Sequence, residues 1–580
     1  MCDLIDKTKL NIFRRPALNF FFRLDDRLLL ITIGALVGIC SGLSSVALNS
    51  GLMLMFHWLS KLSHLWWFFV IPGIGAALSS LTLEKIFKEG AGHGVPEIVY
   101  SVSRYGGLMR LRSAVSRLIS SCLTIGSGGS AGPEAPAVMS GAAIGSNIAR
   151  FFSMNDRQRI TLVGCGVAGG LASIFNAPIA GIVFTIEIII GEWSAANIVP
   201  IAIASVAGAQ ISRLLRGNQI AFTHLNFDTD ITATLAAIGL AVITAVVSIV
   251  LTRTLRRSYA ISSRIAVPVW GRAAIGGCLV GIIGIFLPQV MGEGYHAIQR
   301  MVEGTFNGGA AIVALLVFAK IIATGLTLGW GGSGGIFAPC LVIGSFSGLM
   351  YYHLISLLLP GISLINEGYF ALLGMAGLVS GTLQAPLTGL FLIVEITGSY
   401  EVILPLILVS TISTTISYAF EPASFYLKDL IERGHFLRPR TDAKVLADLG
   451  IREIIEKDCI TVHPNMFLGE FINVIQSSHR NYFPVENEQT GEFMGMIHLD
   501  GIRSYIFDPL LYETVFLEQI METDIDTVSI DDDLSDVLDK MDMNNLFSLP
   551  VVSSNRFIGM VSKATLLDKY RSELRLQAFY

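Results

Sequence analysis

Two stretches of the chain repeat one unusual order of small residues. The first is Gly128-Gly129-Ser130-Ala131-Gly132-Pro133-Glu134-Ala135-Pro136, and the second is Gly331-Gly332-Ser333-Gly334-Gly335-Ile336-Phe337-Ala338-Pro339. They share the pattern GGS-[AG]-G-x-x-A-P at an offset of 203 residues. A third stretch, Gly90-Ala91-Gly92-His93-Gly94-Val95-Pro96-Glu97, has the same grammar of glycine turn, proline and apolar run. The chemistry this grammar allows is anion binding at helix starts. The first turn of a helix has free N–H groups and a partial positive charge. Glycine lets that backbone approach an ion closely, and proline is tolerated at the first helical position. Three such starts meeting would hold an anion with no full positive charge, which also lets the ion leave. The plainer alternative is that the glycines only permit close helix packing.

Glu134 stands two residues past Gly132. A carboxylate inside a membrane is costly and is a functional candidate by default. At a positive helix end it can act as a tethered surrogate anion, filling the site when ionised and leaving it when protonated. That behaviour gives gating, proton exchange or both. The competing reading is a buried structural salt bridge.

A second duplicated set surrounds the elements that must position these blocks. Gly166, Ala168, Gly169, Ala177, Pro178, Gly181, Glu187 and Ile188 recur as Gly374, Ala376, Gly377, Ala385, Pro386, Gly389, Glu395 and Ile396, all at an offset of 208. Two composite matches in one order imply two copies of one unit. Repeats with glycine- and proline-broken segments at matching positions point to a transporter's binding site. The recurrence of Glu187 as Glu395 favours a helix-end role for both. Lys320, in an apolar run, either raises the local potential or pairs with a carboxylate or with carbonyls.

The 580 residues are 52% hydrophobic and only 15% charged, with a mean hydropathy of +0.63. Soluble domains average about 25% charged residues. This composition excludes a soluble enzyme, a disordered chain and a nucleic-acid clamp. The charge is partitioned. Up to Gly434 there are 27 Lys+Arg and 21 Asp+Glu; beyond it there are 13 and 24. A basic, apolar part thus precedes an acidic, soluble one. The N-terminus, with Lys7, Lys9, Arg14, Arg15, Arg23 and Arg27, lacks the form of a signal peptide and favours the cytoplasmic side. Long apolar stretches run from residue 28 to 420, several too long or too short for the roughly 20 residues of a span. Interrupted helices at membrane depth persist where they line a cavity or are buried in protein. The seven cysteines form no CxxC pair and no ligand spacing, so neither a disulfide framework nor a metal site is expected. HExxH and GxxxxGK[ST] are absent, and no nucleophile–base pair stands out, so an enzyme is not expected.

At its glycine blocks the chain resembles the CLC family of chloride channels and proton/chloride exchangers, over about residues 25–434. That family's anion-coordinating signatures GSGIP, GREGP and GKFIP or GIFAP are similar to Gly92-His93-Gly94-Val95-Pro96, Gly132-Pro133-Glu134-Ala135-Pro136 and Gly335-Ile336-Phe337-Ala338-Pro339. Its S-x-Y-…-R-x-G segment is similar to Ser424-Phe425-Tyr426 with Arg433-Gly434. The resemblance implies an α-helical polytopic membrane protein with two inverted repeats of broken and tilted helices. These would be repeats of about 28–220 and 230–430 within a transmembrane domain at 28–434, after a cytoplasmic segment at 1–27. It further implies a homodimer with one anion pathway per subunit, chloride as ligand, Tyr426 as a coordinating hydroxyl, no required cofactor and no nucleic-acid partner. It places the chain in the plasma (inner) membrane with both termini cytoplasmic.

Three departures matter. His93 stands where the family has serine; it offers one hydrogen bond when neutral and a full charge when protonated, which bears on anion selectivity. Ile188 stands where exchangers carry an inner, proton-relaying glutamate, leaving Glu187 or water as the remaining carrier. GREGP has become GPEAP, at little expected cost, since backbone N–H groups coordinate there. Proton/chloride exchange through Glu134 is the expected function; a passive, Glu134-gated chloride channel is the alternative.

The acidic tail, 435–580, repeats at a period of 66. Ile454, Thr461-Val462, Leu468 and Pro484-Val485 recur as Ile520, Thr527-Val528, Leu534 and Pro550-Val551. This resembles a tandem pair of CBS domains, at about 447–507 and 514–573. Adenine-nucleotide binding is possible there but poorly matched. Thr565 replaces the ribose-binding Asp in the second unit, and Asp500 comes one residue early in the first.

Overall fold

In a computed structural model of the chain, the described residues are 26–62, 67–90, 94–217, 231–306, 308–358, 360, 366–432, 449–544 and 546–579. Gly92, His93, Arg433 and Gly434 lie outside them. The chain divides into two compact units, Met1–Phe436 and Leu437–Tyr580.

The first unit is helical. Its first half holds α1 (Asp26–Leu62), α2 (Ile71–Leu81), α3 (Val95–Arg104), α4 (Arg112–Gly126), α5 (Glu134–Phe151), α6 (Asp156–Phe175), α7 (Pro178–Phe184) and α8 (Ala195–Arg216). The second half holds α9 (Ile231–Ser263), α10 (Val269–Phe286), α11 (Tyr295–Val302), α12 (Ala310–Gly329), α13 (Phe337–Leu358), α14 (Glu367–Leu383), α15 (Pro386–Thr397), α16 (Ile403–Phe420) and α17 (Lys428–Glu432). Among the described residues nine helices are long and apolar enough to cross a membrane.

The two halves are built alike because the same residues stop and start the chain in each. Helix α6 opens on Asn155, whose side chain accepts from Gln158 N–H, and α14 opens on Asn366, which accepts from Tyr369 N–H. Both end on a left-handed residue, Asn176 at φ 57° and Gln384 at φ 54°. An Ala-Pro pair then starts α7 and α15, with proline in the first turn. The apolar runs 160–190 and 368–394 are thereby each cut into two helices. Close crossing also repeats. A Cβ on Gly141 would lie 2.0 Å from the Gly166 carbonyl oxygen, and one on Gly344 would lie 2.5 Å from that of Gly374. Helices α5 and α6, and α13 and α14, therefore pack backbone to backbone. These four helices form the buried centre, while α1, α9 and α10 expose apolar side chains such as Met53, Val246 and Phe286 on the periphery.

The second unit contains α18 (Ile451–Ile454), α19 (Leu468–Ser477), β1 (Tyr482–Glu486), β2 (Phe493–His498), α20 (Arg503–Ile506), α21 (Leu534–Met543), β3 (Ser548–Ser553), β4 (Arg556–Ser562) and α22 (Lys563–Phe579). Each half has an antiparallel hairpin, β1–β2 and β3–β4. The Thr-Val segments add in parallel, Val462 to Val485 and Val528 to Val551. The halves exchange edges: Glu522 pairs with Met496 of β2, and Glu456 pairs with Met560 of β4. Each hairpin is finished by a residue of the other half, so the two units of the 66-residue period form one body.

Candidate functional site

The two duplicated glycine blocks meet. Gly132 N–H donates to the Gly335 carbonyl at 2.9 Å, and Gly335 N–H donates to that of Gly132 at 2.7 Å, an antiparallel bridge. The approach is held by reciprocal bonds. Ser130 N–H donates to Thr327 Oγ1 at 3.0 Å, and Ser333 N–H donates to Thr124 Oγ1 at 3.1 Å. Both bonds join equivalent residues of opposite halves, as an approximate two-fold axis through the bridge requires. The blocks also carry G-x-S-x-G spacing, a hydrolase pattern. Ser130 and Ser333 are wholly buried, however, and their hydroxyls bond to Thr324 and Ser120 rather than to a base.

Helix α5 starts on Glu134 itself, with Pro133 as its cap and Pro136 inside the first turn. Sequence grammar placed proline at the opening; instead the carboxylate takes the first helical position. Helix α13 likewise starts at Phe337, with Pro339 following. The start of α3 adjoins them: a Cβ on Gly94, at φ 81°, would lie 3.5 Å from the Ala135 carbonyl. Val95 and Pro96 form its first turn.

Glu134 is 2% exposed, and its side chain folds back over these starts. Oε1 accepts from the Tyr295 hydroxyl at 2.8 Å. The N–H groups of Glu134 and Ala338, one from each helix start, lie close to the carboxylate, and Oε2 makes no hydrogen bond among the described residues. A Cβ on Gly132 would lie 2.0 Å from Oε2, so only glycine leaves room for the carboxylate. Ile336 and Phe337 are buried; Phe337 packs on Phe175 and Phe184 at 5.7 and 6.2 Å between ring centres. Tyr426 is 2% exposed, and Cys340 and Glu134 lie within electrostatic range of it.

Glu187 caps the opposite half. It accepts from Leu387 N–H at 3.2 Å, Thr388 N–H at 2.8 Å and Thr388 Oγ1 at 2.6 Å, at the start of α15. Glu395 returns the arrangement, accepting from Ile179 N–H at 2.9 Å and Ala180 N–H at 2.7 Å, at the start of α7. Ile188 is buried in the main apolar core. Lys320 is wholly buried and donates to the carbonyls of Val290 and Gly292 at 2.8 and 2.9 Å.

A cavity of about 800 Å³ opens beside Glu134, lined by Pro133, Phe175, Arg216, Glu293, Tyr295 and Arg300 among others. Tyr295 and Glu293 were missed in the glycine blocks. A signal was present. Gly92-His93-Gly94 and Ile98 recur as Gly292-Glu293-Gly294 and Ile298, at an offset of 200. The third block therefore has a partner as well.

The sequence profile of the voltage gated chloride channel family matches residues 75–418, more than half of the chain. The chain belongs to the CLC family. It is a multi-pass membrane protein for chloride transport, not an enzyme. The CBS domain profile matches residues 451–508 and 517–572. An H(+)/Cl(-) exchange transporter ClcA of Vibrio cholerae is 31% identical over 352 residues, 59% of this chain and 74% of that protein. The crystal structure of a slow cyanobacterial Cl-/H+ antiporter superposes with a TM-score of 0.63 at 25% identity, covering 72% of this chain and all of that one. A eukaryotic CLC transporter superposes with a TM-score of 0.61 at 20% identity over 94% of this chain and 98% of that one, and shares the fold.

In this CLC chain the CBS pair has its own polar cluster. Glu456 accepts from Ser562 Oγ at 2.6 Å and from Thr565 Oγ1, and it pairs with Arg480. Arg480 also forks onto Asp458 at 2.6 and 2.7 Å. That bond holds the Asp458 carboxyl below the usual carboxylate range.

Proposed function

We propose that the protein exchanges chloride for protons, with Glu134 as both the gating and the proton-carrying carboxylate. The observation that carries this reading is the position of that carboxylate, over the joined starts of α5 and α13. An anion held there would meet the same N–H groups. Glu134 and chloride therefore compete for one place, and a neutral Glu134 gives it up. Backbone groups around Gly92 to Pro96, Gly132 to Pro136 and Gly335 to Pro339, with Tyr426, would coordinate the ion, and His93 would tune its selectivity. The protein would work as a homodimer in the plasma (inner) membrane with both termini cytoplasmic, from a membrane domain of 28–434 and a tail of 435–580.

A specific observation favours the second reading, a passive gated channel. Ile188, at the inner proton position, sits in the apolar core, and Glu187 is committed to capping α15. In the tail, we assign the CBS pair to regulation or dimerisation. The Glu456 carboxylate engages Thr565, at the ribose-binding position, and an anion there opposes a nucleotide's phosphates.

The test is reconstitution in liposomes under a chloride gradient while pH is recorded. Uphill proton movement that disappears in Glu134→Ala supports exchange. Chloride flux without proton movement at any pH overturns it in favour of the channel.

A further inference from the structure

One carboxylate of the cavity has no part in the anion site. Glu293 lines the cavity together with Pro133, the residue before Glu134, and with Tyr295, whose hydroxyl holds Glu134 Oε1. Tyr295 lies within reach of the charges of both Glu134 and Glu293. The loop carrying Glu293 is fixed in place. Lys320 anchors the carbonyls of Val290 and Gly292 just before it. Gly292 and Gly294, on either side, have φ of 59° and 84°, which side-chain-bearing residues rarely adopt. The charges within electrostatic reach of Glu293 are those of Glu134 on α5, Lys320 on α12 and Arg216 at the end of α8. His296 and Arg300, on α11, line the same cavity. In the repeat, Glu293 takes the place that His93 takes in the first half. Each stands between two glycines ahead of a helix start, α3 or α11. The residue types differ, an imidazole in the first half and a carboxylate in the second.

We propose that Glu293 is the proton-exchange carboxylate of this cavity, passing protons between cavity water and Glu134 through the Tyr295 hydroxyl. A proton from cavity water binds the Glu293 carboxylate. The neutral Glu293 passes it through cavity water to the Tyr295 oxygen while Tyr295 gives its own hydroxyl proton to Glu134 Oε1. Glu293 is again an anion, Tyr295 again a phenol, and Glu134 is neutral. The reverse order unloads Glu134. This inference rests on the exchange reading above and names the group that loads its moving carboxylate.

The experiment uses the full chain in liposomes and reads protons moved per chloride for wild type, Glu293→Gln, Glu293→Asp and Tyr295→Phe. Glu293→Gln is expected to lower the ratio about tenfold. That is less than the ~100-fold a positioned proton-transfer group typically contributes, because water in the cavity still reaches Tyr295. Tyr295→Phe should lower it similarly, and Glu293→Asp should restore most of it. A wild-type ratio in Glu293→Gln overturns the proposal. So does an equal loss in the Gln and Asp variants, since that is the mark of a structural role. A wild type that moves chloride but no protons overturns the exchange reading and this inference together, an outcome distinct from the other two.

Discussion

Replacing Gly132 with alanine tests the steric argument for the site directly. The new Cβ would lie 2.0 Å from Glu134 Oε2 and 2.8 Å from the Ala338 Cβ. Ordinary contact begins at 3.4 Å, so the carboxylate must move by about 1.4 Å. Ala338, at the start of α13, must give by about 0.6 Å as well. A carboxylate displacement of that size breaks the 2.8 Å bond from Tyr295, because a contact near 3.6 Å is no longer a hydrogen bond. A hydrogen bond to a charged group contributes about 1.5–3 kcal/mol. Its loss favours the displaced carboxylate by roughly 10- to 150-fold. Chloride efflux from liposomes at neutral pH should therefore rise at least about tenfold, approaching the rate of Glu134→Ala, and should lose most of its pH dependence. Gly335→Ala is the control. There the new Cβ meets Ala135 Cβ, Ala135 N and Glu134 Oε2 all at 3.1 Å, so small shifts suffice. It should remain close to wild type in both readouts. Two folded variants with equal efflux and equal pH dependence would refute the reasoning.

Two further outcomes follow from other parts of the fold. Removing the Glu187 carboxylate in Glu187→Ala strips three hydrogen bonds from the start of α15, and Glu395→Ala strips two from the start of α7. Each should cost about 1–2 kcal/mol, as lost helix caps do, seen as a lower unfolding temperature in detergent, with Glu187→Ala the more affected. In the tail, Arg480 depresses Asp458 below its ordinary value of 3.8. A depressed carboxylate stabilises the folded state above that value, and the contribution fades as pH falls through the lower folded one. Hydrogen exchange of residues 449–579 in the full chain should therefore accelerate below about pH 4, and Arg480→Gln should raise exchange at neutral pH while flattening that acid acceleration. A tail whose acid profile is unchanged by Arg480→Gln would overturn this account.

Much of the site was legible in sequence because its demands are backbone demands. Only glycine fits between the Glu134 carboxylate and its own helix start, whereas Gly335, its counterpart in the second half, is under a milder demand. The duplication of Glu187 as Glu395 likewise marked two helix caps, because capping needs one carboxylate per half. Glu293 and Tyr295 were harder to see. Their place depends on how α11 folds against α5, and only the flanking glycines carry over from the first half, with different residues between them. Lys320 left its role open for a similar reason. The carbonyls it anchors belong to Val290 and Gly292, 30 and 28 residues away along the chain. Nothing about a lone lysine in an apolar run says which carbonyls it will meet.

The exchange of caps between Glu187 and Glu395 also makes each half the completion of the other. A single half would leave one helix start without acceptors and one carboxylate without donors. A second copy of the same half supplies both with no new residues. The arrangement is that of a self-complementary pair, in which each member gives what it receives. Within one chain, the two halves thus hold as an internal contact what two separate copies would hold as a self-complementary interface.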